Sequence, residues 1–259
     1  MLVGSDEWKF LCSQTKDLFV DVVLLNELPF GPWIAAEREF NRDILIESQR
    51  AHREAEANFV ELGAEFVIST RPVFEGEKSV NQGFVWHRER GIEIVHTKQF
   101  IPDEEGYYEM RWFERGQTHF RIASVGNCRI GFLICSEVMF NEWARYYGRM
   151  GAELIVVPRA TEAETLDRWK TALSMAAIVS GCYVASSNRH GSDKHGKMFG
   201  GKGMVFAPTG DLIAETSGED PVIPVEIDAK EVARAKKGYP CYLKDLEAMN
   251  SLFDKTANL

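Results

Sequence analysis

The chain has 259 residues and a formal charge of −9, from 30 Lys and Arg against 39 Asp and Glu. That length suits one or two domains with a sizeable core, and the acidic balance argues against nucleic acid or an anionic membrane as the main partner. There is no run of about 18 apolar residues to span a membrane. Five cysteines, an odd number, follow a start that lacks the build of a signal peptide, so a reduced cytoplasmic setting without a disulfide framework is expected.

Taken in chain order, residues 6–18 read as a short amphipathic helix. Val20 to Leu25 is an apolar run of strand length that stops at Asn26-Glu27-Leu28-Pro29, where Pro29, Gly31 and Pro32 forbid regular structure. Residues 37–62 read as one long helix with Gly63 at its carboxyl end. A strand over 65–69 follows, then strands near 80–87 and 92–98, and an apolar strand from Cys128 to Cys135. Helix 140–150, strand 153–157, helix 164–180 and strand 182–187 continue the alternation, and strands near 202–207, 211–215 and 222–227 close it. Neither repeats nor low-complexity stretches interrupt the pattern, so one domain over 1–259 is expected, with a C-terminal tail from about 236. Continuous apolar strands suggest sheets buried under helices, and the late hairpins add antiparallel pairs. Two mixed sheets packed together, with helices outside, fit better than a simple doubly wound sheet.

Several strand ends carry chemistry. Gly131-Phe132-Leu133-Ile134-Cys135-Ser136 is apolar until it ends at a thiol, and the carboxyl edge of such a sheet is where ligands bind. The backbone N–H of Ser136 can face an oxyanion formed at Cys135, and a following helix N-terminus is expected to lower the thiol pKa. The same segment also suits a buried structural cysteine. Glu27 ends another apolar strand, where a carboxylate can take a thiol proton and later activate water; alone, it equally reads as a surface loop acid. Lys98 closes the strand Ile92 to Thr97, where an ammonium can stabilise charge on a carbonyl oxygen, or simply be solvated. Glu109, in the aromatic-rich loop Gly106 to Phe113, can hold Lys98 charged and aimed, or stand exposed. Trp112 in that loop is pocket wall, core or subunit contact.

Arg159, after the strand Leu154 to Pro158, is placed to grip a substrate carboxylate or to pair with Glu162 or Glu164. Arg168 and Trp169 flank the next helix, and Asn188-Arg189 follows a strand at the same edge and can shape a pocket. His190, Asp193 and His195 mimic a metal site but lack a supporting Cys pair, and Gly200-Gly201-Lys202-Gly203 lacks the context of a phosphate loop.

The order and context of these residues resemble the nitrilase superfamily of carbon–nitrogen hydrolases, from about residue 15 to about 245. Four blocks carry the resemblance: Leu25 to Gly31, Thr97 through Glu109 to Gly116, Arg129 to Arg145, and Gly151 to Pro158. It implies a four-layer αββα sandwich and a triad of Glu27, Lys98 and Cys135, supported by Glu109. It implies no metal or organic cofactor, an amide, ureido or nitrile substrate, and at least a homodimer formed through helices and the tail. Glu142 and Arg145 match a structural pair. Two departures stand out. Asn26 takes the place of a proline, and the strand that normally precedes the first helix is not visible: either the start given is late, or the sheet lacks its first strand, which would expose a sheet edge or a core face. The expected activity is that of an amidase or carbamoylase. A nitrile hydrolase of the same family and a non-catalytic binding member are the alternatives.

Overall fold

The computed structural model describes residues 1–75, 78–117 and 120–246. The chain opens with helix α1, Asp6–Asp17, whose Ser5 side chain accepts the Trp8 N–H and whose first turn carries Asp6 and Glu7. This is the favourable polarity for a helix start. Strand β1, Val22–Leu24, and helix α2, Arg42–Asn58, follow. The helix is shorter than the expected 37–62. Asn41 caps it by accepting the N–H groups of Asp43 and Ile44, and the chain tightens into a 3-10 turn over Phe59–Leu62. Gly63 ends that turn at φ 77°, a left-handed conformation that glycine adopts without steric cost.

Strands β2, Phe66–Glu75, β3, Lys78–His87, and β4, Gly91–Thr97, form an antiparallel meander, with β1 added in parallel at β2. The one-turn helix α3, Glu109–Trp112, precedes the second half of the chain. There β5, Ala123–Val125, β6, Cys128–Phe132, helix α4, Asn141–Met150, β7, Leu154–Arg159, helix α5, Leu166–Ser180, and β8, Tyr183–Asn188, alternate. A small ribbon of β9, His190–Ser192, and β10, Met198–Gly200, stands apart from β11, Met204–Phe206, and β12, Leu212–Glu215. Helix α6, Ala229–Ala235, comes last among the described residues.

The two main sheets run β1-β2-β3-β4 and β12-β11-β8-β7-β6-β5, and both mix parallel with antiparallel pairs. Their facing surfaces meet through Ile68, Val85 and Val95 on one side and Ile130, Phe132 and Val156 on the other. Gly83, at an irregularity in the β3–β4 ladder, makes that approach possible, because a Cβ there would lie 2.7 Å from the Phe132 ring. Outside the first sheet, α1 and α2 bury Trp8, Ala55 and Phe59. Outside the second, α4 and α5 bury Tyr147, Leu173 and Ala177. The result is the four-layer αββα sandwich. Each large apolar side chain so buried contributes about 1.5–3 kcal/mol.

The expected strand over 222–227 does not form; residues 221–228 carry no regular secondary structure. Among the described residues, β1 pairs with β2 alone and stands at the edge of its sheet. A cavity of about 1450 Å³ lies beside that edge, lined by Val22 and Leu24, by Leu154 and Val205 of the second sheet, and by Ile223 and Ile227. Among the described residues, no helix is long and apolar enough to cross a membrane. Of the tail expected from about 236, residues 247–259 lie outside the described residues. Its described part reaches α4, where Asp245 pairs with Arg145 at 2.5 Å.

Candidate active site

Cys135 stands where β6 gives way to a 3-10 turn over Cys135–Met139. Its backbone φ is +50°, a left-handed value that side chains with a Cβ rarely adopt. The kink turns the thiol out of the strand direction at the junction of the two sheets. Residual exposure is 5%. Burial pushes the thiol pKa up, the Glu27 carboxylate adds to the rise, and the Lys98 ammonium opposes it. This corrects the expectation of a lowered pKa. A five-residue 3-10 turn does not offset the loss of water.

Glu27, just past β1, is fully buried. Its Oε1 accepts from Lys98 Nζ and from Asn81 Nδ2, each at 2.8 Å, while its Oε2 is buried without a hydrogen-bond partner. The Glu27 N–H donates to the Arg159 carbonyl at 3.3 Å, tying the carboxyl end of β1 to that of β7 in the other sheet. Arg189 donates to the carbonyls of Leu28 and Gly31 and so holds the loop that follows Glu27.

Lys98 follows β4 and is fully buried. Besides Glu27, its Nζ reaches both Glu109 oxygens, at 2.8 and 2.7 Å. Burial alone would discharge this ammonium, but the carboxylates of Glu109 and Glu27 outweigh it and hold its pKa above the ordinary lysine value. Glu109 opens α3 and is 1% exposed. Burial pushes its carboxyl pKa up and Glu27 adds to the push, against the pull of Lys98. Two carboxylates and one cation thus form a buried cluster whose charges reach the thiol. The structure brings together Glu27, Lys98, Glu109 and Cys135 from segments far apart in sequence.

The other expected residues are placed differently. The Ser136 side chain donates to the Phe100 carbonyl, so only its backbone N–H can serve an oxyanion. Trp112 is 2% exposed and donates from its indole to the Glu37 carbonyl at 2.7 Å, packed among Leu28, Trp33 and Phe113. Asn188 clamps two loops, accepting the Thr161 N–H at 2.9 Å and donating to the Gly201 carbonyl at 2.6 Å. Arg159 is fully buried and pairs with neither Glu162 nor Glu164. Its guanidinium donates to Ser186 Oγ at 2.6 Å, Thr161 Oγ1 at 2.9 Å and the Lys202 carbonyl at 3.0 Å, and lies 5.6 Å from the Trp169 ring. Glu162 is taken by Lys197, and His195 Nε2 lies 2.7 Å from Glu37.

Sequence reading missed Asn81 and Glu137. Asn81 sits mid-strand in β3, where it orients Glu27 through its side chain and accepts the Lys98 N–H through its carbonyl at 2.9 Å. Its one signal is a polar pair, Asn81-Gln82, ahead of the apolar run Phe84-Val85-Trp86 in the same strand. Glu137, two residues beyond Cys135, has all its partners buried. Tyr107, read as part of an aromatic loop, carries a buried hydroxyl with no hydrogen-bond partner.

A family model described as carbon-nitrogen hydrolase matches residues 59–237, more than half of the chain. Lys98, Glu109 and Cys135 fall inside that span and Glu27 ahead of it. A 2-oxoglutaramate amidase of Bacillus subtilis (strain 168) is 27% identical over 161 residues, covering 57% of this chain and 62% of that protein. An N-carbamoylputrescine amidase of Solanum lycopersicum is 28% identical over 163 residues, covering 57% of this chain and 54% of that protein. The chain thus spans less than two thirds of the length of these relatives. Among solved structures, a carbon-nitrogen hydrolase from Helicobacter pylori G27 superposes with a TM-score of 0.82 at 21% identity, over 97% of this chain and 95% of that one. An amidase from Nesterenkonia sp. AN1, with acrylamide added at its active-site cysteine, superposes with a TM-score of 0.69 at 20% identity, over 80% of each chain. At these identities the superpositions speak to the fold.

Proposed function

The chain belongs to the carbon–nitrogen hydrolase family, and from that premise we propose that it hydrolyses linear amides or N-carbamoyl compounds through an acyl-enzyme on Cys135. The observation that carries this reading is the unpartnered Oε2 of Glu27, a buried acceptor on a carboxylate whose charge reaches the Cys135 thiol and whose other oxygen is fixed by Lys98 and Asn81.

Glu27 Oε2 takes the Cys135 proton as the sulfur attacks the carbonyl carbon. Negative charge develops on the carbonyl oxygen, which the Lys98 ammonium and the Ser136 N–H stabilise. An ammonium has three hydrogens. Since the two Glu109 oxygens can share one of them and Glu27 takes another, the third is available to the oxyanion. Collapse of the tetrahedral species breaks the carbon–nitrogen bond, and Glu27 returns its proton to the leaving nitrogen. Water, deprotonated by the same carboxylate, then hydrolyses the thioester and restores the thiol. An amide gives acid and ammonia or amine; a ureido group gives carbon dioxide as well. Assembly into a homo-oligomer and a cytoplasmic setting belong to the same proposal, the latter supported by five free cysteines.

The test is ammonia release from a panel of amides, N-carbamoyl amino acids and amines, and nitriles, run beside Cys135→Ala. Release by the wild type that the variant abolishes is expected, with carbon dioxide from ureido compounds. Release that survives in Cys135→Ala would mean that the nucleophile lies elsewhere.

A further inference from the structure

Glu137 is fully buried, and its carboxylate accepts three hydrogen bonds, each 2.7 Å long. Oε1 takes the backbone N–H of Gln99, the residue after Lys98. Oε2 takes the backbone N–H of Ile134, the residue before Cys135, together with Nε2 of His96, two residues before Lys98. A carboxylate offers only acceptors, so His96 carries its proton on Nε2. The His96 ring lies 4.8 Å from Phe120 and its Nδ1 is buried without a partner, which leaves Glu137 as the polar contact that orients it.

The placement of these donors matters more than their number. Lys98 leaves the first sheet at the end of β4, and Cys135 leaves the second sheet at the end of β6. The facing surfaces of the two sheets pack through apolar, non-directional contacts; the directional ties between these two strand ends are the Ser136 hydroxyl's bond to the Phe100 carbonyl and the bonds of Glu137. Glu137 binds both strand ends with directional, charge-assisted bonds, one residue away from each reacting group.

We propose that Glu137, held by His96, is a positioning residue that sets the Lys98 ammonium against the Cys135 thiol across the sheet junction. It touches neither substrate nor the reacting atoms; it acts through the backbone on either side of them. The proposal rests on the reading of Cys135 and Lys98 as the reacting pair, and its test is chosen to stand apart from turnover.

The decisive variant is Glu137→Gln, which keeps the shape but sets an NH₂ group against at least one of the buried N–H donors. Misplacement of a reacting group by about 1 Å costs on the order of 100-fold, so kcat is expected to fall by about that factor while KM stays within about threefold. The readout independent of substrate is the rate of Cys135 alkylation by iodoacetamide, followed peptide by peptide, with Cys128 as internal reference. It is expected to fall about tenfold or more at Cys135 and stay unchanged at Cys128. His96→Gln, which retains a donor, should keep most of the wild-type rate, and His96→Leu should resemble Glu137→Gln. If Glu137→Gln does not fold, the His96 pair decides. A folded Glu137→Gln or His96→Leu protein whose Cys135 alkylates within twofold of wild type overturns the proposal. Should the wild type release ammonia from no compound while Glu137→Gln still slows alkylation, the functional reading fails and the positioning role stands.

Discussion

Lys98 and Arg159 are both wholly withdrawn from solvent, and the fold holds them in opposite ways. Lys98 is met by two carboxylates at 2.7–2.8 Å, which keep it charged against the cost of burial. Arg159 is met by two hydroxyls and a carbonyl, and burial pulls its pKa down to about 10. The first cluster pairs its charges yet leaves an acceptor, Glu27 Oε2, unfilled. The second spends its donors on neutral oxygens from the loop after β7, from β8 and from the loop before β11, as a brace would. Burial of a cation is common to both. What separates the two clusters is leftover bonding capacity, which the first retains at Glu27 and on which its proposed chemistry rests.

That contrast can be broken by experiment. Lys98→Met should lower the rate on the best amide by about 100- to 1000-fold, the usual cost of one oxyanion donor. It should also destabilise the fold by about 3–5 kcal/mol, because two carboxylates are left buried without their cation; activity assays and urea unfolding check the two effects. Arg159→Met should do the reverse. Stability should fall by about 2–4 kcal/mol as Ser186, Thr161 and the Lys202 carbonyl lose a partner, while turnover by the folded fraction stays within about tenfold. A KM that rises selectively for carboxylate-bearing amides would instead make Arg159 a substrate anchor and dissolve the contrast.

A third buried base sharpens it further. His52 on α2 sits edge-on to Phe30, 5.4 Å between ring centroids, with Nδ1 2.7 Å from the Ser48 carbonyl; burial depresses its pKa to about 3. Here the fold neither pairs the charge nor solvates it but keeps the ring neutral. The unfolded chain therefore binds the extra proton first, and stability falls as pH drops from the ordinary value of about 6.5 toward 3. Between pH 7.5 and 5 the loss from this group is about 2 kcal/mol. His52→Gln should flatten that part of the stability profile in calorimetry, and an unchanged slope would assign it to other groups. The smallest effect is expected of Ser136→Ala. It removes the bond to the Phe100 carbonyl, worth about 1 kcal/mol, yet keeps the backbone N–H, so the rate should change by less than about threefold. A larger fall in kcat would give the hydroxyl a part in the reaction.

Glu27, Lys98 and Cys135 were legible because each ends an apolar strand, and strand ends of one polarity converge at one edge of a sandwich; Glu109, which opens a one-turn helix, was legible through the family resemblance of its block. Arg159, Asn188 and Trp112 share that neighbourhood, but sequence does not tell whether a polar side chain faces the crevice or its own scaffold. Glu137 was invisible for a related reason: two of its three partners lie 38 and 41 residues away. In the fold, β2 runs on to Glu75 through Pro72, which sequence rules treat as a stop. Proline is tolerated there because β1 pairs with β2 only as far as Ile68, so beyond it no ladder on that flank is lost. The segment over 222–227 failed the opposite way. Its composition is that of a strand, yet a strand exists only where a neighbour supplies bonds, and among the described residues it has none.

The left-handed backbone at Cys135 sets stability against chemistry at a single position. A residue with a Cβ pays about 1–3 kcal/mol in that conformation, and glycine would be relieved of it. Under the proposed mechanism, glycine at 135 would make a steadier fold without a nucleophile, and the strain is what the chain bears to place sulfur where the two sheets meet.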